Sequence, residues 1–200
     1  MTEEKKYEVQ NLVATVSFQI TETLDLPLIH RVNGGKYQPE KFPGLILKFE
    51  DPKATILLFS TGKSVVTGLK KEADVRIAVN NLIEKLKTAD IELAEPEIKV
   101  QNIVANGELK EPLDLNLATV KLEGTMYDPA VFPGLIYRIT EPKVVFLLFS
   151  TGRFVCTGGK SLEMVDQGIE HLYEVVKNAD ISKKAIEASE LEDEESMHFL

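Results

Sequence analysis

An α+β fold made of two copies of one half, related by a pseudo-twofold axis and sharing one large antiparallel sheet, is predicted by three observations. Phe42-Pro43-Gly44-Leu45-Ile46 returns as Phe132-Pro133-Gly134-Leu135-Ile136, and the stretch Leu57–Gly62 returns at 147–152, both at an offset of 90. Between residues 41–70 and 131–160, 17 of 30 positions are identical, so chance is excluded. Upstream, Val9-Gln10-Asn11-Leu12-Val13-Ala14 recurs as Val100-Gln101-Asn102-Ile103-Val104-Ala105, at an offset of 91. A period near 90 is too long for a solenoid, whose repeats run roughly 20–50 residues. Finally, short β-rich runs and amphipathic stretches follow in the same order in both copies.

In the first copy, Val9–Phe18 is β-branched and apolar and reads as a strand. Leu24–Val32 is a short helix, with Thr23 or Asp25 at its start and Asn33-Gly34-Gly35 ending it. Lys36–Gln38, Gly44–Glu50, Ala54–Ser60 and Lys63–Leu69 are strands punctuated at Asp51-Pro52 and Thr61-Gly62. Over Ala73–Ala89, the residues Val75, Ala78, Val79, Leu82, Ile83 and Leu86 recur at helical spacing. The second copy repeats the plan with strands at Ile98–Ala105, Leu122–Tyr127, Leu135–Thr140, Val144–Ser150 and Arg153–Gly158. Its helices are Leu113–Val120 and a last one with Val165, Ile169, Leu172 and Val176 in register. Glu95-Pro96 marks the junction, giving halves of residues 1–95 and 96–180 and an acidic tail of 181–200 outside the core.

Both faces of the hairpin strands are apolar: Thr55, Leu57 and Phe59 alternate with Ile56 and Leu58. Ten strands with only two long amphipathic helices leave one sheet face uncovered. An exposed apolar face of that size marks a binding surface or an interface with another chain.

Composition narrows the function. The chain has no apolar run long enough for a membrane span or a signal peptide. One cysteine, Cys156, and three scattered histidines, His30, His171 and His198, offer no metal cluster and indicate a reducing interior. Gly62-Lys63-Ser64 and Gly159-Lys160-Ser161 end like a phosphate-binding loop but have Leu57 and Phe154 where its first glycine belongs. No catalytic constellation is present, and neither an enzyme nor a cofactor is expected. The net charge of −9 is unevenly spread: residues 181–200 carry −4, whereas 41–70 and 132–160 each carry +3. Two basic islands on an acidic body suit an anionic ligand. They also suit solvated strand edges guarded by lysines. Phe42, Phe59, Phe132 and Phe149 sit beside turns in these islands, and position alone leaves core and surface roles open.

The repeated Gln-Asn-Leu/Ile-Val, Phe-Pro-Gly-Leu-Ile, Leu-Phe-Ser-Thr-Gly-Lys/Arg and Thr-Gly motifs, covering Val9 to about Asp180, resemble the TATA-box-binding protein family in its archaeal form. The resemblance implies a saddle: one curved ten-stranded antiparallel sheet with four helices, the long ones on the convex face. It implies a general transcription initiation factor that binds A/T-rich promoter DNA in the minor groove. The family is itself a standing example of minor-groove kinking, so that deformation is carried over with the resemblance. By motif, Phe42, Phe59, Phe132 and Phe149 would be intercalating wedges. Asn11, Thr67, Asn102 and Thr157 would bond base edges, and Val13, Leu57, Val65, Val104, Leu147 and Val155 would pack on the groove floor. Lys48, Lys63, Lys70, Arg138, Arg153 and Lys160 would meet phosphates. Implied partners are double-stranded promoter DNA, transcription factor B and RNA polymerase, with a homodimer open in the absence of DNA and a cytoplasmic, nucleoid-associated location. The family carries glutamates before the second Phe-Pro-Gly, where this chain has Asp128-Pro129-Ala130-Val131; that departure bears on the transcription factor B contact. Two rivals stay open: a duplicated domain closing over an apolar ligand, and an obligate oligomer using the sheet as its interface.

Overall fold

Ten strands and four helices follow one another across residues 7–183, the part of the chain that the computed structural model describes. They are β1 (Tyr7–Ser17), α1 (Leu26–Asn33), β2 (Lys36–Gln38), β3 (Phe42–Glu50), β4 (Lys53–Leu58), β5 (Lys63–Leu69) and α2 (Glu72–Lys87), then β6 (Glu97–Glu108), α3 (Leu115–Lys121), β7 (Thr125–Met126), β8 (Leu135–Thr140), β9 (Lys143–Leu148), β10 (Arg153–Gly159) and α4 (Leu162–Asn178). All ten strands belong to one sheet, in the order β2-β3-β4-β5-β1-β6-β10-β9-β8-β7. With β6–β10 taken as second copies of β1–β5, that order reads the same from either end. The chain divides into two compact units, one of Val9–Ile103, the other of residues from 104 onward with Tyr7 and Glu8.

Each unit buries one face of its strands beneath a long helix. In the first, Ala14, Val16, Leu45, Leu47, Ile56, Leu58 and Val66 lie under Val75, Ala78, Val79, Leu82 and Leu86 of α2, all buried. In the second, Leu135, Tyr137, Val144, Phe146, Leu148, Phe154 and Cys156 lie under Val165, Ile169 and Leu172 of α4. Each large apolar side chain so buried contributes about 1.5–3 kcal/mol. These contacts hold the register, because a slip of one residue would turn every buried side chain to the opposite face.

Helix ends follow their side-chain chemistry. Asp25 accepts a hydrogen bond from the Leu28 amide to start α1, and the Gly34 amide donates to the His30 carbonyl to end it. Ser161, the last residue of the false phosphate loop, instead accepts from the Met164 amide and caps α4. His30 faces the Gly34 carbonyl through Nδ1 at 3.1 Å, and His171 meets the Tyr137 hydroxyl at 3.2 Å. His198 lies outside the described residues.

The structure corrects four sequence expectations. The strand expected over Leu122–Tyr127 is only Thr125–Met126, because Leu122 is spent capping α3 through its amide on the Ala118 carbonyl. Helix α3 starts at Leu115 and not Leu113: Asp114 caps it through the Leu117 amide, while Leu113 pairs with Ser182 in an isolated bridge. Consequently the tail does not begin at 181. Ile181 is fully buried, its carbonyl accepts from the Asp114 amide, and the Lys183 amide donates to the Pro112 carbonyl. Of the tail, residues beyond 183, which hold the acidic run, lie outside the described residues. Val176 of α4 is half-buried, so the apolar stripe of that helix ends at Leu172.

A chain ending at Asp180 should therefore melt at a lower temperature than one ending at Lys183, and Ile181→Ala alone should cost about 2–5 kcal/mol in denaturant titration. Alkaline stability gives a second expectation. Burial pushes the Cys156 thiol from 9.0 up to about 12. Burial, then the hydrogen bond to Asp166, pushes Tyr7 from 10.0 to about 12, and burial raises Tyr137. All three are acids held neutral by the fold. Their contribution is whole below the unfolded-state values and is lost as pH rises from 9 toward 12. Cys156→Ala should move the onset of that loss from near pH 9 to near pH 10, as followed by melting temperature against pH.

Candidate nucleic-acid interface

Opposite the helices, each unit presents a second set of side chains that folding leaves half-exposed. In the unit Val9–Ile103, cross-strand partners align in rows: Ile46 with Leu57, Leu57 with Val65, and Val65 with Thr15. Beside it, Lys48 pairs with Thr55, and Thr55 with Thr67. The apolar residues of these rows, with Val13 on β1, are half-buried, alternating with fully buried neighbours. In the other unit, Ile136, Leu147 and Val155 form the matching row, and Arg138, Val145 and Thr157 the row beside it. Val104 on β6 is half-buried in the same alternation, and Asn102, two residues before it, is half-buried too. Every side chain expected on a groove floor thus falls on the uncovered parity of its strand. Ile46 and Ile136 belong to the same face but were missing from the expected set; their pairing with Leu57 and Leu147 would have identified them.

Asn11 is fixed by a bulge. Between Leu12 and Ala14 of β1 lie two steps, whereas their partners Leu69 and Val66 on β5 are three apart. The extra residue is absorbed at Gly68, whose φ of 92° suits glycine. Its amide, turned out of the ladder, donates to Asn11 Oδ1 at 2.8 Å, and the Thr67 hydroxyl donates to the same oxygen at 3.2 Å. The backbone donor decides which way the amide faces. Asn11 therefore turns its Nδ2, a double donor, toward the open face, while the proton of Thr67 is committed to holding it.

The four phenylalanines meet in two pairs. Phe42 and Phe59 lie edge-on with centroids 5.7 Å apart, and Phe132 and Phe149 do the same at 6.0 Å. None is in the core: Phe132 is 37% exposed and the other three are half-buried. Fully buried Phe146 and Phe154, on the helix side of β9 and β10, show what a core pair looks like here. Each open-face pair sits on a glycine. A Cβ at Gly134 would lie 2.6 Å from Phe132 and 3.0 Å from Phe149; at Gly44 the distances to Phe42 and Phe59 are 2.7 and 3.1 Å. The glycines of the repeated Phe-Pro-Gly motif are thus seats for the rings, a role the motif itself did not reveal. Hairpin geometry then couples each ring to a cation: the Phe59 amide donates to the Lys63 carbonyl, and the Phe149 amide to the Arg153 carbonyl, both at 2.9 Å. Upstream, Asp128 shapes the loop before Phe132, its carbonyl accepting from the Val131 and Phe132 amides and its Oδ1 from the Ala130 amide.

Lys48, Lys63, Lys70, Arg138, Arg153 and Lys160 are all exposed. Lys48 and Arg138 end the polar rows, whereas Lys63 pairs with Ser17 where β1 ends and β5 begins. A groove of about 360 Å³ beside Phe59 is lined by Thr15, Ser17, Pro43, Lys63 and Val65. Its counterpart beside Phe149 is larger, about 820 Å³, and is lined by Asn106, Glu108, Pro133, Arg153 and Val155. Among the described residues no group of three His, Cys, Asp or Glu could hold a metal ion, and no helix is long and apolar enough to cross a membrane.

Comparison with known proteins agrees with this geometry. The family model described as "Transcription factor TFIID (or TATA-binding protein, TBP)" matches twice, at residues 6–89 and 97–179. The TATA-box-binding protein of Pyrobaculum neutrophilum is 43% identical over 191 residues, covering 94% of this chain and 95% of its own. TATA-box-binding protein 1 of Methanosarcina acetivorans is 44% identical, covering 88% of this chain and 97% of its own. The solved structure of Methanococcus jannaschii TBP superposes with a TM-score of 0.78 at 36% identity, over 86% of this chain and 99% of that one. With both copies of the repeat matched and its sheet shared with a solved relative, this chain belongs to the TATA-binding protein family.

Proposed function

We propose that this protein is a general transcription initiation factor that binds A/T-rich promoter DNA, each duplicated half (residues 1–95 and 96–180) laying its open sheet face on the minor groove. The family is one of transcription factors, and the chain is not an enzyme. The observation that carries the reading is the pairing of a half-exposed aliphatic row with a glycine-seated phenylalanine pair left out of the core, found once in each unit.

The chemistry is consistent from base edge to backbone. A·T pairs offer only acceptors in the minor groove, whereas G·C adds the guanine amino group. Asn11 Nδ2 supplies donors for those acceptors. Against the aliphatic rows of Leu57, Val65, Leu147 and Val155, an amino group would stay unpaired, at a cost of about 1–3 kcal/mol. Phe42 with Phe59, and Phe132 with Phe149, act as wedges at the ends of the face, as in the family generally. Unstacking costs about a few kcal/mol per step, offset by the surface that bent DNA brings into contact. The six exposed cations neutralise phosphates and position the duplex without reading it. The Asp128–Val131 loop, held by Asp128, is the place for transcription factor B, with RNA polymerase recruited in turn; Ala130 removes a carboxylate from that contact. A cytoplasmic, nucleoid-associated location goes with this role.

Phe149→Ala should leave melting nearly unchanged, within the roughly 0.5–1.5 kcal/mol of an aromatic pair, yet weaken binding and reduce bending in a fluorescence-transfer assay. Gly134→Ala, which unseats both rings, should reduce bending in the same way. A core role for Phe149 would instead show as a loss of about 3–5 kcal/mol with normal bending by the folded fraction. Reading and positioning should also separate. Asn11→Asp keeps an acceptor for Gly68 and Thr67 but removes the donors, so preference for A·T over G·C duplexes should fall. Lys63→Ala should weaken binding to every sequence and reduce the salt slope by about one unit.

A further inference from the structure

The two grooves beside the wedges are built largely from equivalent positions, Tyr7 and Glu8 lining only the one beside Phe149, and the duplication shows where they diverge. Phe59, Lys63 and Val65 correspond to Phe149, Arg153 and Val155, and Pro43 to Pro133, with no change of chemical class. The strand positions two and four residues beyond Val13 and Val104 do change: Thr15 becomes Asn106, and Ser17 becomes Glu108. Glu108 has the same parity on β6 as Asn102 and Val104, so it stands on the open face, and its side chain is exposed. Its position is held from behind, because the Tyr173 hydroxyl of α4 donates to the Glu108 carbonyl at 3.1 Å.

A serine hydroxyl both donates and accepts, so Ser17 can meet the acceptors of an A·T pair. A carboxylate only accepts. Opposite an A·T pair, Glu108 places acceptor against acceptor with no proton between them and adds a like partial charge. Opposite G·C, the guanine amino group donates to it. Resting on the minor-groove reading above, we infer that Glu108 is a specificity-determining residue: the end of the site beside Phe149 favours a G·C pair, the end beside Phe59 does not, and the difference orients the protein on an otherwise symmetric A·T-rich site. Arg153 lines the same groove and brings a positive charge to it.

The test uses the full chain and three duplexes sharing one A·T-rich core, with G·C at one end, at both ends or at neither. A dye on Lys177→Cys, in the same unit as Glu108, reports orientation by energy transfer to a dye at one DNA end; native Cys156 is buried and does not compete for label. On the single-G·C duplex the protein should place Lys177→Cys nearest the G·C end, by about tenfold over the reverse orientation. Glu108→Ser should bring the two orientations toward equality, as should Glu108→Gln, whose amide donates as well as accepts. Ser17→Glu combined with Glu108→Ser should reverse the preference. Equal orientations in the unsubstituted protein, or a preference that survives Glu108→Ser and Glu108→Gln, would overturn the inference while leaving A·T binding and bending intact. Failure to bind any A·T-rich duplex would overturn the minor-groove reading itself, and this inference with it.

Discussion

A β-strand turns successive side chains to opposite faces, and in each unit a single long helix covers only one of them. That shortage of cover is the constraint on which the rest depends. The buried face, Leu47 with Ile56, Val66 and Ala14 in one unit, supplies the stability and holds the register. The other face inherits the same register but contributes less to folding, because Ile46, Leu57 and Val65 keep part of their surface in water. What folding leaves exposed is available to a ligand, since the same apolar area drives binding once something dry is laid against it.

Small local devices adapt that face to its use. The bulge at Gly68 spoils one step of the β1–β5 ladder, yet the amide it frees becomes the bond that aims Asn11. Gly44 and Gly134 contribute nothing to packing themselves, but their missing Cβ atoms are the space in which the ring pairs rest. Phe59 and Lys63, or Phe149 and Arg153, are joined across one tight turn, so each ring and its neighbouring cation are held together by the backbone.

Duplication explains why the two units share this face, and divergence explains why they are not interchangeable. Thr55 and Val145 occupy equivalent places in the polar rows, as do Ser17 and Glu108 at the groove ends. The buried sides also differ, Ser64 standing where the second unit has Phe154, but both are buried and that change stays within the fold. On an open face nothing accommodates it, so a change of chemistry passes directly to the ligand.

Much of this was legible in the sequence because its signals are periodic and repeated. The offset of 90 revealed the duplication, the two-residue alternation of Thr55–Phe59 revealed two apolar faces, and the spacing of Val75, Ala78, Val79 and Leu82 revealed a helix able to cover only one. Which face was covered, and whether Phe149 belonged to it, was not legible, since Phe146 within β9 and Phe149 just past its end differ only in parity relative to a helix distant in the chain. Tertiary structure alone placed Ile181 in the core, because its partner Asp114, like the Pro112 that Lys183 meets, lies nearly seventy positions upstream and leaves no local pattern. It alone gave Gly134 and Gly68 their roles, since the first depends on where two rings meet and the second on a register between strands more than fifty residues apart. Local periodicity determines which elements form; only long-range packing decides which of their side chains are left facing water.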